Sequence, residues 1–313
     1  MVDLRRPFRF GAQVAAAPLG ADWAATARRV EADGYATLCM PDHLDDQWAP
    51  MPALAAAAAA TTTLRIATMV LDNDFRHPVV LAKEAATLDL VSGGRFELGI
   101  GAGWQDSDYR RSGITQDSAD TRVERLGEAL VVIKSLLGGE RCSFAGRHYS
   151  ITDLAGTPVP VQRPHPPVLV GGGSRRVLTV AGREADIVSL NFDLRSGAVG
   201  PEVGPTGTAD ATVAKLAWVA DAAGARFAQL ELSVRVFIAV VTDRRAEVVA
   251  GLATGFGITS DEVLGTPHVL VGSVDQIVDD LVRRREELGL SYVVLSGGAL
   301  DDMAPVVARL AGT

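Results

Sequence analysis

The chain has 313 residues, 48% hydrophobic and 22% charged, with a formal charge of -8 at pH 7 and a pI of about 5.2. One large α/β core fits that length, and the acidic balance excludes a general polyanion binder, since nothing in the total attracts nucleic acid over salt. The opening residues MVDLRRPFRFG hold no run apolar enough for a signal peptide, and MPALAAAAAA (51–60) is too short to span a bilayer, so a cytoplasmic protein without a membrane partner is expected.

FRFGAQV (8–14) reads as a first strand, and Trp23, Ala27 and Val30 line one face of the helix that follows, which Gly34 stops. YATLCM (35–40) is a second strand, PALAAAAAAT a helix of the best helix former, and LRIATMVL (64–71) a third strand. Leu81, Ala85 and Leu88 share a helical face after Pro78, and residues 95–101 make a fourth strand. Val123, Leu126, Leu130, Ile133 and Leu137 keep one stripe along the clearest helix. Three more strands are expected in PVLVGG, ADIVSL and AQLELSVRVFIAV (228–240), each followed by a helix. Ser273 and Gln276 form a capping box, Gly289 ends that helix, and SYVVLSG (291–297) is the last strand.

Eight strands alternating with helices within this length predict a (β/α)8 TIM barrel, one domain over 1–313. Two long segments rich in turn formers, 138–167 and 191–210, interrupt the alternation and are expected as insertions over the binding face at the carboxyl ends of the strands. Cys39 and Cys142 have no second Cys or His at ligand spacing, which argues against a disulfide framework or a metal centre.

SGGRFELGIGAGW (92–104) is dense in glycine, but the dinucleotide fingerprint fails where Trp104 or Asp106 stands in place of its last glycine. GGGSRR (171–176) fails at Arg176. In a barrel these glycines either let a flat ring or a phosphate lie against bare main chain, or merely permit tight packing at a crowded rim. Asp42 and His43, after the second strand, read from position alone as a helix cap and a histidine that satisfies a rim carbonyl.

RHPVVLAKEAATLDLVSGGRFELGIGAGW (76–104) closely resembles the signature of the bacterial luciferase-like monooxygenase superfamily. ARRVEADGYATLCMPDHL (27–44), PVPVQRPHPPVLVGGGSRR (158–176) and HVLVGSVDQIVDDLVRRREELGLSYVVL (268–295) extend the likeness, in order, over nearly the whole chain. The resemblance, nearest to its F420-dependent oxidoreductases, implies hydride transfer between C5 of coenzyme F420 and a small organic substrate. A reduced-FMN monooxygenase is the alternative, and a barrel that only sequesters flavin a third. It also implies a homodimer. By position it puts Asp42 and His43 beside the coenzyme ring as the catalytic pair, and a cis peptide at Met69–Val70 behind that ring. Gly101, Ala102 and Gly103 become the ring wall, and Gly171, Gly172, Gly173 and Ser174 a phosphate site at a helix start. Arg175 and Arg176 add charge there, and Arg76 and His77 belong to the motif as loop residues. Trp48 either stacks on coenzyme or substrate, as an aromatic near this position does in similar proteins, or is a hydrophobe of the rim. Ala102 stands where luciferase subunits carry an arginine for the FMN phosphate, which favours F420. Trp104 stands where F420-dependent glucose-6-phosphate dehydrogenases carry an acid, which implies an apolar substrate pocket.

Overall fold

In the computed structural model, which describes residues 6–17 and 21–313, the chain alternates strand and helix from Arg9 onward. The first five residues, part of the stretch read above for a signal peptide, lie outside that description. The principal strands are β1 (Arg9–Gln13), β2 (Thr37–Met40), β3 (Arg65–Thr68), β4 (Phe96–Gly101), β5 (Val168–Gly172), β6 (Ile187–Leu190), β7 (Glu231–Val236) and β8 (Leu290–Ser296). All pair in parallel in the order β3-β2-β1-β8-β7-β6-β5-β4, and the pairing of Ile66 with Phe96 joins β3 to β4 and closes the ring. The predicted TIM barrel is therefore present.

Helices α1 (Trp23–Ala32), α2 (Pro50–Ala60), α3 (Pro78–Val91), α4 (Asp106–Ser112), α5 (Ala119–Leu137), α6 (Arg175–Glu184), α7 (Ala209–Ala223), α8 (Arg245–Phe256), α9 (Ser260–Gly265), α10 (Val274–Leu288) and α11 (Leu300–Leu310) accompany the strands. The capping box at Ser273 and Gln276 opens α10, and Gly289 closes it in the left-handed conformation at φ 72°. None of the helices among the described residues is long and apolar enough to cross a membrane.

Strand side chains alternate between two surroundings, as a two-residue period requires. Leu38, Met40, Ile66 and Leu98 point outward and join the helices in the main core, whereas Cys39, Ala67, Leu169, Tyr292 and Val294 pack inside the barrel. At the amino ends the interior is ionic. Arg9 donates to Glu97 at 2.7 Å and to Glu231 at 2.6 Å, Arg65 donates to Glu97 at 2.5 Å, and the Arg9 guanidinium lies 3.6 Å over the Tyr292 ring. Burial opposes ionisation of Glu97, but its two arginines outweigh that cost and hold its carboxyl below the ordinary range.

Three expectations need correction. Residues 228–240 are not one strand: after Val236 the chain leaves the barrel, and Ile238–Val241 pairs instead with Val269–Gly272 in a separate two-stranded sheet. The predicted third strand likewise breaks after Thr68, with a cis peptide between Met69 and Val70 before pairing resumes at Leu71–Asp72. Segment 138–167 does not border the cavity, and only its hairpin reaches the rim, where the Asn73 side chain donates to the Tyr149 hydroxyl at 3.3 Å. It follows α5 and therefore emerges at the amino end, where Gln162 donates to the Phe96 carbonyl at 2.7 Å. Its hairpin, Arg141–Ala145 against Ser150–Ala155, folds back along α5, and Glu128 accepts from the N–H groups of Arg147, His148 and Tyr149. Segment 191–210 does lie at the carboxyl rim, where Lys215 of α7 donates to the carbonyls of Asn191 and Thr206 at 2.6 Å each and so ties its two ends together.

Candidate active site

The inward positions at the carboxyl ends of the strands surround a cavity of about 470 Å³. Each element delivers its side chain there by the same alternation. Arg9, Gly11 and Gln13 share the inward face of β1, and Gln13, 6% exposed, donates through Nε2 to the Met69 carbonyl at 2.8 Å. The end of β3 is thus held where its main chain borders the cavity.

Main chains pass unusually close on this side of the barrel. A Cβ on Gly99 would stand 1.9 Å from the Thr68 carbonyl oxygen, and one on Gly101 would stand 2.9 Å from Val70 Cγ2. Gly103 has φ +71°, and a Cβ there would lie 1.9 Å from the Tyr109 hydroxyl. Gly172 and Gly173 answer the packing alternative too: their added Cβ atoms would meet Val177 at 2.4 Å and the Phe192 carbonyl at 2.0 Å. Glycine at these places is demanded by the protein's own packing, and a bare wall at the cavity is the by-product.

His43 sits at the cavity with its Nδ1 2.8 Å from Asp108 Oδ2. Asp108, in the first turn of α4 and 5% exposed, also accepts from the Leu44 N–H and from Gln105 Nε2. A carboxylate so held fixes the proton of His43 on Nδ1 and leaves Nε2 as the ring atom for a ligand. Trp104 meets the imidazole edge-on, with ring centroids 5.7 Å apart.

Asp42 borders the cavity, yet its carboxylate is committed. Arg76 binds both its oxygens, and Oδ2 also accepts from the Asp72 N–H at 3.1 Å. Asp42 is therefore a brace between two rim loops, not an acid or base, and the catalytic role expected for it is not supported by this geometry.

Asp72, behind that brace, accepts from the Asp74 N–H at 2.9 Å and faces the Tyr109 hydroxyl at 2.8 Å. That hydroxyl has one proton and also lies 3.2 Å from Asp74 Oδ2. Burial, joined by the nearby carboxylates of Asp74 and Asp42, outweighs these hydrogen bonds and pushes Asp72 up to about 6.

The sequence profile of the luciferase-like monooxygenase family matches residues 6–260. The chain belongs to that family. In sequence this luciferase-like protein is 33% identical over 131 residues to the FMNH(2)-dependent dimethylsulfone monooxygenase of Pseudomonas putida, across 42% of this chain and 36% of that protein. It is 32% identical over 192 residues to the F420-dependent glucose-6-phosphate dehydrogenase of Microbacterium testaceum (strain StLB037), across 58% of this chain and 55% of that one. The chain thus matches about a third of the length of the first relative and little more than half of the second. In structure it is similar to the coenzyme F420 dependent tetrahydromethanopterin reductase of Methanopyrus kandleri, with a TM-score of 0.75 and 17% identity over 98% of this chain and 99% of that one. At that identity the likeness establishes the shared fold alone.

The luciferase-like barrel brings together most of the residues singled out from the sequence. His43, Met69, Val70, Gly101, Ala102, Gly103, Trp104 and the run Gly171–Arg176 all border the one cavity. At the start of α6, Ser174 accepts from the Val177 N–H at 3.5 Å, so the N–H groups of Arg175 and Arg176 are left without a helical partner beside the cavity. Arg176 is ion-paired with Asp120. Trp48 does not reach the cavity. Its loop turns back, its N–H donates to the Ala15 carbonyl, and its indole rests on Trp23 with centroids 5.4 Å apart.

Sequence reasoning passed over Gln13, Asp108, Arg122 and Arg235, which also border the cavity. Arg122 spends its guanidinium on the carbonyls of Ala102 and Asp117, fixing the glycine loop from behind. Arg235 had a readable signal: an arginine on the same face as Ser233 and Phe237, within an apolar run, must enter the barrel.

Proposed function

We propose that this protein is an F420-dependent oxidoreductase acting on a small organic substrate. The reading is carried by the His43–Asp108 pair, set beside a wall of close-packed main chain at the barrel mouth. That wall suits a flat tricyclic ring, since Gly101, Ala102 and Gly103 present nothing longer than a methyl to it. Gly171 to Ser174 and the free N–H groups of α6 would hold the phosphodiester, with Arg175 adding charge. When bound, the coenzyme supplies a hydride carrier at C5 that needs no dioxygen. The protein's part is orientation, proton handling and exclusion of water. His43 Nε2 gives a proton to, or takes one from, the substrate oxygen, and Asp108 keeps the imidazole in the required tautomer. Trp104 and Phe192 wall the space against solvent. The relative named for F420 supports the choice of deazaflavin, and the relative named for FMNH(2) makes the flavin the comparison in its test.

The test is a parallel fluorescence titration of the purified protein with F420 and FMN. Saturable binding of F420 is expected, and His43→Ala should then lower turnover by roughly 10²- to 10⁴-fold. Tight FMN binding without an F420 response, joined to oxygen consumption with reduced flavin, would replace this reading with a flavin monooxygenase.

A further inference from the structure

A second chamber of about 860 Å³ opens beside the first. The two share five residues, Gln13, Pro41, His43, Gln105 and Arg235, so His43 and Arg235 stand at a seam between them. The second chamber runs outward between α1 and the loop before α11, over Val14, Ala15, Ala16, Ala25, Val30 and Leu300. Its inner end is cationic and its walls are small and apolar. Of the acids that line it, Asp301 and Asp33 both pair with Arg29 and Asp22 with Arg28, while Asp45 lies exposed to solvent away from Arg235's end.

Among the described residues Arg235 stands apart from the other interior cations, which meet a carboxylate or, as Arg122, Lys215 and Arg284 do, backbone carbonyls. Arg9 and Arg65 have Glu97, Arg76 has Asp42, and Arg125 has Asp74. No carboxylate among the described residues lies within 4 Å of Arg235, and its Nε has no hydrogen-bond partner. The guanidinium rests on the face of Phe237, 4.3 Å from the ring centroid. Burial alone lowers its pKa to about 10, with no acid to raise it. An uncompensated cation costs stability wherever it is withdrawn from water, and it recovers that cost when an anion arrives.

We infer that Arg235 anchors an anionic group of the organic substrate, a carboxylate or sulfonate, while the substrate's carbon skeleton lies in the second chamber. The arrangement rests on the coenzyme reading only in assigning the first chamber to the ring. It places the substrate's head at the seam, within reach of the residue that handles the proton, and sends its neutral tail outward. A guanidinium forms two parallel hydrogen bonds to such a head, which fixes orientation as well as position.

The experiment measures calorimetric binding of octanoate, octanesulfonate, octanol and octylamine to the F420-loaded protein at pH 8, in wild type, Arg235→Met and Arg235→Lys. Both anions should bind saturably and about tenfold or more tighter than octanol or octylamine, the value of one charge-assisted hydrogen bond. Arg235→Met should lose about tenfold or more for the anions, and Arg235→Lys should recover part of it. F420 affinity should stay within about twofold of wild type in both variants. The unliganded Arg235→Met protein should melt no lower than wild type, because it loses a buried charge and keeps the volume.

Equal binding of octanol and octanoate, or unchanged anion affinity in Arg235→Met, would overturn the inference. So would a tenfold loss of F420 affinity in that variant, since the guanidinium would then serve the coenzyme. If F420 fails to bind at all while the protein still selects octanoate through Arg235, the coenzyme reading falls and the anchor stands.

Discussion

Asp72→Asn gives a test in which both sign and size follow from the geometry. The wild-type carboxyl is 9% exposed and raised from 3.8 to about 6, chiefly by burial. An acid shifted upward on folding lends stability that is complete below its unfolded value and fades as pH rises through the folded one. Across the full window the loss is about 3 kcal/mol, at about 1.4 kcal/mol per pH unit, and roughly half of it falls between pH 5 and pH 8. Asparagine keeps an acceptor for the Asp74 N–H, and its amide can donate to Tyr109 Oη, freeing the tyrosine proton for Asp74 Oδ2. The variant should therefore compare better with wild type at pH 8 than at pH 5, by about 1.5 kcal/mol. Urea unfolding of both proteins at the two pH values measures that difference. An equal effect at both, or a variant that compares worse at pH 8, would show that folding does not raise Asp72 above its ordinary range and that the description of this corner is mistaken.

Gly103→Ala sets a methyl against the Tyr109 hydroxyl at a positive φ, and should cost about 2 to 4 kcal/mol in denaturant unfolding through strain and a displaced buried hydrogen bond. Asp108→Asn leaves His43 without its carboxylate, and turnover should fall by about 10- to 100-fold with F420 affinity nearly unchanged in a titration. Trp48→Ala removes a packing partner of Trp23 outside the cavity, so stability should drop by about 1 kcal/mol while F420 and substrate affinities hold.

The barrel was legible because its strands and helices differ in period, and in β4 the inward Glu97, Gly99 and Gly101 alternate with the outward Phe96, Leu98 and Ile100. What escaped depends on partners distant in the chain. β7 ends at Val236 because the residues after Phe237 find Val269–Gly272 as a neighbour, a pairing no local pattern announces. Asp108 looks like any acid at a helix start until β2 and α4 meet, and only then does it orient His43 across 65 residues. Asp42 shows the converse: its place beside His43 suggested chemistry, while Arg76, 34 residues on, had already claimed both its oxygens. The direction in which an insertion points was available from order alone, since a segment that follows a helix surfaces at the opposite end from one that follows a strand.

The knot of Arg9, Glu97, Arg65 and Glu231 stoppers one end of the cylinder, and none of its four members can be discharged singly without stranding its neighbours. A vessel sealed below is filled and emptied from above. Whatever binds in either chamber must therefore arrive and leave on the carboxyl side, and the traffic there belongs to the shape of the container as much as to affinity.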